Sequence, residues 1–198
     1  YAGMEGLFLI GPFLYLFLIP AITMRTFAEE RRNGTLETLM AHPLRHWTIV
    51  FAKFLAGWTL VLVSLLPTLV CYFSVYSLGY PVGNIDTGSV VGSYIGLLLL
   101  GGAFVAIGLF CSSLTANQIV SFIAAAVLST VAYLGFESLY HMEIFGSGDL
   151  FVKSLGMMDH YESISRGVID TRDVLYFASV VALFLMATRL VLQSRMWN

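Results

Sequence analysis

Charged residues divide the chain into long apolar runs. Between Glu5 and Arg25 lie 19 uncharged positions, between Lys53 and Asp86 lie 32, and between Asp86 and Glu137 lie 50. Crossing ~30 Å of hydrocarbon at 1.5 Å per residue takes about 20 residues. The first run therefore predicts one span and the second one long span. The third predicts two spans joined by a tight turn near Ser112, Ser113, Thr115, Asn117 and Gln118. A last run, Val174 to Thr188, has 15 uncharged residues, and a snorkelling Arg189 lets it continue through Leu192. The predicted spans are about 5–25, 50–78, 89–111, 115–137 and 173–193. Such runs lack the alternation of the roughly 10-residue strands of a membrane barrel, and lipid offers no partner to open backbone groups. The expected fold is all-α: a polytopic bundle of five transmembrane helices forming a single transmembrane domain, residues 1–198.

Composition agrees with lipid as the solvent: 58% of residues are hydrophobic and 11% charged, against about 25% charged in a soluble domain. A net charge of -2 without a basic stripe excludes nucleic acid as a partner. Lys and Arg gather in two places, Arg25 to Lys53 and the tail with Arg189 and Arg195. The region 138–172 and its borders hold three basic residues against seven acidic ones. The excess of basic residues marks the cytoplasmic side, so both basic segments face in and the acidic loops face out. The chain opens on Tyr1 and lacks the basic and cleavable parts of a signal peptide. A preceding helix would place the N-terminus inside and make these the last five of six spans.

Within the spans, Gly88, Gly92 and Gly96 recur every fourth residue, the spacing that lets another backbone approach one helix face. Pro12, Pro20 and Pro67 are expected to bend their helices or free carbonyls. No span carries an unpaired charge near its middle, which counts against ion-coupled transport. A pathway lined by aromatics, Ser, Thr and Met would suit amphipathic or apolar cargo. Cys71 and Cys111 sit in apolar runs with no spaced framework, as small hydrophobes rather than disulfide or zinc ligands. His141 with Glu143, and His160 with Asp159 and Glu162, match no zinc signature; capping and solvent exposure account for them. Asp159 with Glu162 and Asp170 with Asp173 have capping-box spacing. In the loop 138–172, Leu150, Phe151, Leu155, Met157 and Met158 suggest a short interfacial or re-entrant helix.

The most polar stretch between the first two spans, Phe27 to Pro43, reads F-A-E-E-R-R-N-G-T-L-E-T-L-M-A-H-P. Asn33-Gly34 is a turn signal, and Thr35 is placed to cap a short helix. Glu37 falls in its first turn, favoured by the helix dipole. Leu36, Leu39 and Met40 share one face. This predicts an amphipathic helix along the membrane surface, either a docking element or a simple interfacial anchor.

The run Glu29 to Leu39, with Pro43 and Lys53 beyond it, resembles the first cytoplasmic loop of ABC-2-type transporter permeases. The stretch H-Y-E-S-I-S-R-G-V-I-D-T-R-D-V-L-Y-F, His160 to Phe177, is similar to the segment leading into that family's final span. The gliding-motility-type permeases are the nearest subgroup. The resemblance implies that the cytoplasmic segment 27–45 holds a coupling helix, with Glu29, Glu30, Arg31, Gly34, Thr35, Glu37 and Leu39 as the coupling residues. It also implies short external helices before the last span. The partners would be an ABC ATPase subunit, a second permease subunit, identical or not, and membrane lipid, in a bacterial inner membrane. No G-x-x-x-x-G-K-[ST] occurs, so ATP and Mg belong on the partner, and the chain itself is expected to hold no cofactor and not to be an enzyme. The work done would be substrate export driven by ATP hydrolysis on that partner. The alternative is a non-transporting anchor or scaffold of an envelope machine such as a gliding-motility complex. An intramembrane protease is disfavoured, because Gly34 stands where a Glu-Glu-x-x-x-Arg motif needs arginine and no G-x-S-G is present.

Overall fold

Peptide groups in hydrocarbon have no solvent partner, so each apolar run folds to satisfy its own. The computed structural model describes residues 4–36, 46–78, 86–142 and 153–194. Five helical segments in it are long and apolar enough to cross a membrane: Glu5–Arg32, His46–Leu78, Thr87–Leu114, Gln118–His141 and Thr171–Ser194. Among the described residues there is no strand. The fold is the polytopic helical bundle expected from run length. Its helices extend past the limits read from charge, because a charged side chain such as Glu137 ends the apolar run without ending the helix.

Breaks within the segments fall at identifiable residues. α1 (Glu5–Thr23) carries Pro12 and Pro20 without interruption, then turns into α2 (Ala28–Arg32). The second span divides beside Pro67 into α3 (His46–Leu65) and α4 (Thr68–Leu78), since proline donates no N–H and crowds the preceding turn. α5 (Thr87–Leu114) is unbroken, and Asp86 caps it by accepting the Gly88 and Ser89 N–H groups at 3.1 and 3.2 Å. After the reversal, Asn117 caps α6 (Gln118–Thr130) by accepting the Ile119 N–H at 2.9 Å. α6 runs through a π-turn, Val131–Gly135, into α7 (Phe136–His141). A short α8 (Met157–Ser165) precedes the last span, α9 (Thr171–Ser194).

α5 is the axis of the bundle. Of its membrane-crossing window 78% is buried, against 17–39% in the other four spans, and α1, α3, α6, α8 and α9 all pack on it. The outward faces of the surrounding helices remain apolar, with Leu9, Phe17, Val70, Phe73 and Leu183 each more than 60% exposed, as lipid contact requires. Arg31 reaches the end of α5 and Arg189 lies over Trp47, so the two basic segments share one end of the bundle. Glu5 and Glu162 line one pocket at the other, acidic end.

At the acidic end, α8 is fastened to α5 and α1 by backbone groups that helices would otherwise leave open. Pro12 withholds the N–H that would bond the Phe8 carbonyl four residues earlier. The Tyr161 hydroxyl donates to that carbonyl instead, at 2.8 Å, and burial pushes the Tyr161 phenol above its ordinary value, which keeps it a donor. The Ser165 carbonyl, at the end of α8, accepts from Ser89 Oγ at 2.8 Å and Ser93 Oγ at 3.4 Å. Gly167, with φ +86, then turns the chain away.

Two expectations about this loop are corrected. α8 starts after Gly156 with no side-chain cap, and Asp159 pairs with Lys153 at 3.4 Å instead of capping. Asp170 does accept the Arg172 N–H at 3.1 Å, but its box partner Asp173 is turned inward. His160 is not solvent-exposed: it is buried against Asp173, Nδ1 to Oδ1 2.7 Å, with Nε2 2.9 Å from the Ser154 carbonyl oxygen. Its ring stacks on Tyr176 at 3.9 Å. Both ring nitrogens face oxygens, so α8 and α9 are pinned together through one imidazole. His141 pairs with Glu137 at 3.3 Å, Glu143 lies outside the described residues, and no group of metal ligands occurs among the described ones. Cys111 is buried and Cys71 exposed, both as free thiols.

The Gly92 contact leads to a prediction. A Cβ there would strike the Ile164 carbonyl oxygen and come within 3.0 Å of the Gly167 Cα, whereas nothing lies within 4 Å of one at Gly6. Gly92→Leu is expected to cost about 1–3 kcal/mol by forcing α8 off α5. Thermal unfolding of the detergent-solubilised protein, with Gly6→Ala as the neutral control, measures it; equal midpoints would refute the close approach.

Candidate functional site

The polar segment between the first two spans forms an elbow at the basic end. α1 continues past Pro20 to Thr23, whose Oγ1 donates to the Ile19 carbonyl at 2.9 Å. The helix then opens, and the N–H groups of Phe27 and Ala28 point into the bundle. Ser112 of α5 accepts both at 3.0 and 3.1 Å, and its own hydroxyl donates to the Met24 carbonyl at 3.1 Å. One buried serine therefore closes the turn from inside. Phe27 and Ala28 are completely buried behind it.

The elbow is tied on two further sides. Lys53 of α3 donates to Glu30 Oε1 at 2.5 Å and to the Thr26 carbonyl at 2.7 Å, with its ammonium 4.8 Å from the centre of the Phe27 ring. Arg31 donates to the Leu114 carbonyl at 3.0 Å. Glu30 and Arg31 thus face the bundle. Glu29, Arg32, Asn33, Gly34 and Thr35 are exposed. Gly34, φ +70, takes the left-handed conformation that ends α2. Helical conformation resumes at Thr35, whose hydroxyl donates back to the Glu30 carbonyl at 3.2 Å; the amides it is expected to cap lie outside the described residues. Glu37 and Leu39 lie outside the described residues.

The expected small-residue face of α5, Gly88, Gly92 and Gly96, is turned toward α8 and the turn after it. An added Cβ would meet Ile164 and Gly167 at Gly92 and the Tyr161 ring at Gly96; at Gly88 it would meet only the Asp86 carboxylate, at 3.3 Å. Beside this contact is a pocket of about 240 Å³, lined by residues that include Glu5, Phe8, Phe13, Tyr133, Tyr161 and Glu162. The π-turn lies at Tyr133 and helps to present it, held edge-on by Phe13 and Phe104 at 6.1 and 6.2 Å. The pocket's walls are largely aromatic, with two carboxylates, Glu5 and Glu162, at the acidic end.

Sequence reasoning missed the residues that hold the elbow. Ser112 was noted only as a turn residue, and Lys53 only as the start of a span. A hydroxyl at the end of a long apolar run was the available signal, since a serine buried there must bond something within the protein.

The sequence pattern of ABC-2 family transporter proteins matches residues 4–192. Among curated proteins, the chain is 29% identical over 113 residues to the "Probable multidrug ABC transporter permease YbhR" of Escherichia coli strain K12, and equally to its counterpart in Escherichia coli O157:H7. The matched region is 57% of this chain and 29% of each relative's length. The chain thus spans about a third of those relatives, and they do not single out the gliding-motility type.

Ser112→Ala leaves the buried Phe27 and Ala28 amides without their acceptor, a loss of about 1–3 kcal/mol. The elbow is then expected to open, and trypsin to cut more rapidly after Arg31 and Arg32 in inside-out vesicles. Unchanged cleavage there would show that the serine does not hold the turn.

Proposed function

The chain belongs to the ABC-2 transporter family, and from that membership we propose that it is a permease subunit that exports amphipathic organic molecules across a bacterial inner membrane. ATP is bound with Mg and hydrolysed on a separate ABC ATPase subunit, which grips the segment 27–45. A second permease subunit completes the membrane pathway.

The observation that carries this reading is the division of faces on the elbow. Its inner face is bonded to α5 and α3 through Ser112, Glu30 and Arg31, and its outer face offers Glu29 and the run Arg32 to Thr35. A lever needs both: a free surface to be pushed, and rigid links to what must move. Coupling by mechanical displacement also agrees with spans that carry no charge near their middles, since an ion-driven carrier needs such groups. The cargo class is supported by the aromatic, acid-rimmed pocket at the far end and by the multidrug description of the Escherichia coli relatives.

Glu37→Lys combined with Leu39→Asp is expected to abolish co-purification of the ATPase while membrane insertion, followed by fractionation, stays intact. Normal co-purification would show that the segment does not dock the motor. Transport over scaffolding is separated in reconstituted vesicles: amphipathic cargo should stimulate ATP hydrolysis severalfold, and hydrolysis indifferent to every cargo would favour a scaffold.

A further inference from the structure

Away from the elbow and the acidic pocket, a second cavity opens between α3, α5 and α9. It measures about 420 Å³ and its lining is wholly apolar. Along α9 it extends from Val174 to Leu185, a rise of about 16 Å at 1.5 Å per residue. Trp47 and Trp58 stand along its α3 wall. The indole N–H of Trp58, which could have interrupted this surface, is turned away and donates to the Leu98 carbonyl at 3.0 Å. Gly102 forms the floor, where a Cβ would come within 3.1 Å of the Trp58 ring. An apolar slot of that length has the dimensions of one hydrocarbon chain.

Its basic end is not apolar. Arg189 follows Leu185 by four residues, on the same face of α9, and its guanidinium lies 5.1 Å from the centre of the Trp47 ring. Its Nε is buried without a hydrogen-bond partner, and no carboxylate pairs with it among the described residues. The other anchored cations at this end are satisfied, Lys53 by Glu30 and Arg31 by the Leu114 carbonyl. A half-buried cation without a counter-charge among the described residues, at the mouth of a hydrocarbon slot, calls for an anion with an apolar tail.

We propose that this groove seats one acyl chain of an anionic phospholipid, with the lipid phosphate held by Arg189. The lipid replaces the absent carboxylate and covers the aromatic wall in one molecule. A second protein helix could cover the wall but would leave the guanidinium unpaired unless it brought an acid to the same depth.

Tryptophan quenching tests this directly, because Trp47 and Trp58 line the groove and Trp197 is the remaining tryptophan. The full chain carrying Trp197→Phe is placed in phosphatidylethanolamine nanodiscs doped with phosphatidylglycerol or phosphatidylcholine, each with brominated acyl chains. One basic group near the surface gives about a fivefold preference for the anionic lipid, so the brominated phosphatidylglycerol should quench at a correspondingly lower mole fraction. Arg189→Gln should bring the two lipids to the same curve without abolishing quenching. Ala182→Phe, which fills the groove, should reduce quenching by both. Equal curves in the parent protein would overturn the headgroup assignment. Tryptophans quenched by neither lipid would overturn the site itself and show that protein, such as a second copy, covers the groove.

Discussion

In a bilayer, a peptide group that loses its helical partner cannot turn to water. Leaving an amide or carbonyl unpaired in an apolar medium costs several kcal/mol, more than the roughly 1 kcal/mol that an ordinary hydrogen bond contributes net. At three places where the described chain departs from regular helix, another part of it supplies the missing partner. Pro12 frees the Phe8 carbonyl, and Tyr161 takes it. The elbow after α1 exposes two amides, and Ser112 takes both. The end of α8 leaves the Ser165 carbonyl, and Ser89 and Ser93 reach it. The architecture is in large part the set of places where these needs are met.

This requirement also explains why α5 is central. A helix surrounded by protein has no lipid face, so small and hydroxylated side chains can occur along its whole length. They are found at the levels where neighbouring helices end or bend: Ser89, Gly92 and Ser93 against α8, and Ser112 against the elbow. The outer helices show the opposite composition, with large apolar side chains facing outward and hydroxyls that bond mostly within their own turn, as Thr59 does to Leu55 and Ser74 to Val70.

What could be read from sequence follows the same division. Span number and helical type were legible, because four spans lie in runs of 19 to 50 uncharged residues and the fifth, a run of 15, extends past a snorkelling Arg189. The reversal before Gln118 and the turn at Gly34 were legible from local chemistry. Long-range pairings were not. Pro12 announces a free carbonyl, but nothing local names Tyr161, 153 residues away, as its partner. His160 was read as exposed because it sits among polar residues in a loop; only the fold brings Asp173 and Tyr176 around it. The polar segment after α1 is half legible: its turn, charges and apolar positions can be read, but not which acid turns inward. Glu30 does so because Lys53 enters α3 beneath it, whereas neighbouring Glu29 stays outside.

The Ser112 junction has a mechanical corollary. Its hydroxyl group is bonded to Met24, Phe27 and Ala28 together, so the elbow cannot shift along the membrane normal without either carrying α5 or stripping three contacts at once. α5 is an unbroken 28-residue rod, and its opposite end grips α8 through Ser89 and Gly92. A stroke delivered at one surface would thus arrive at the other as axial displacement, with no compliant joint between to absorb it.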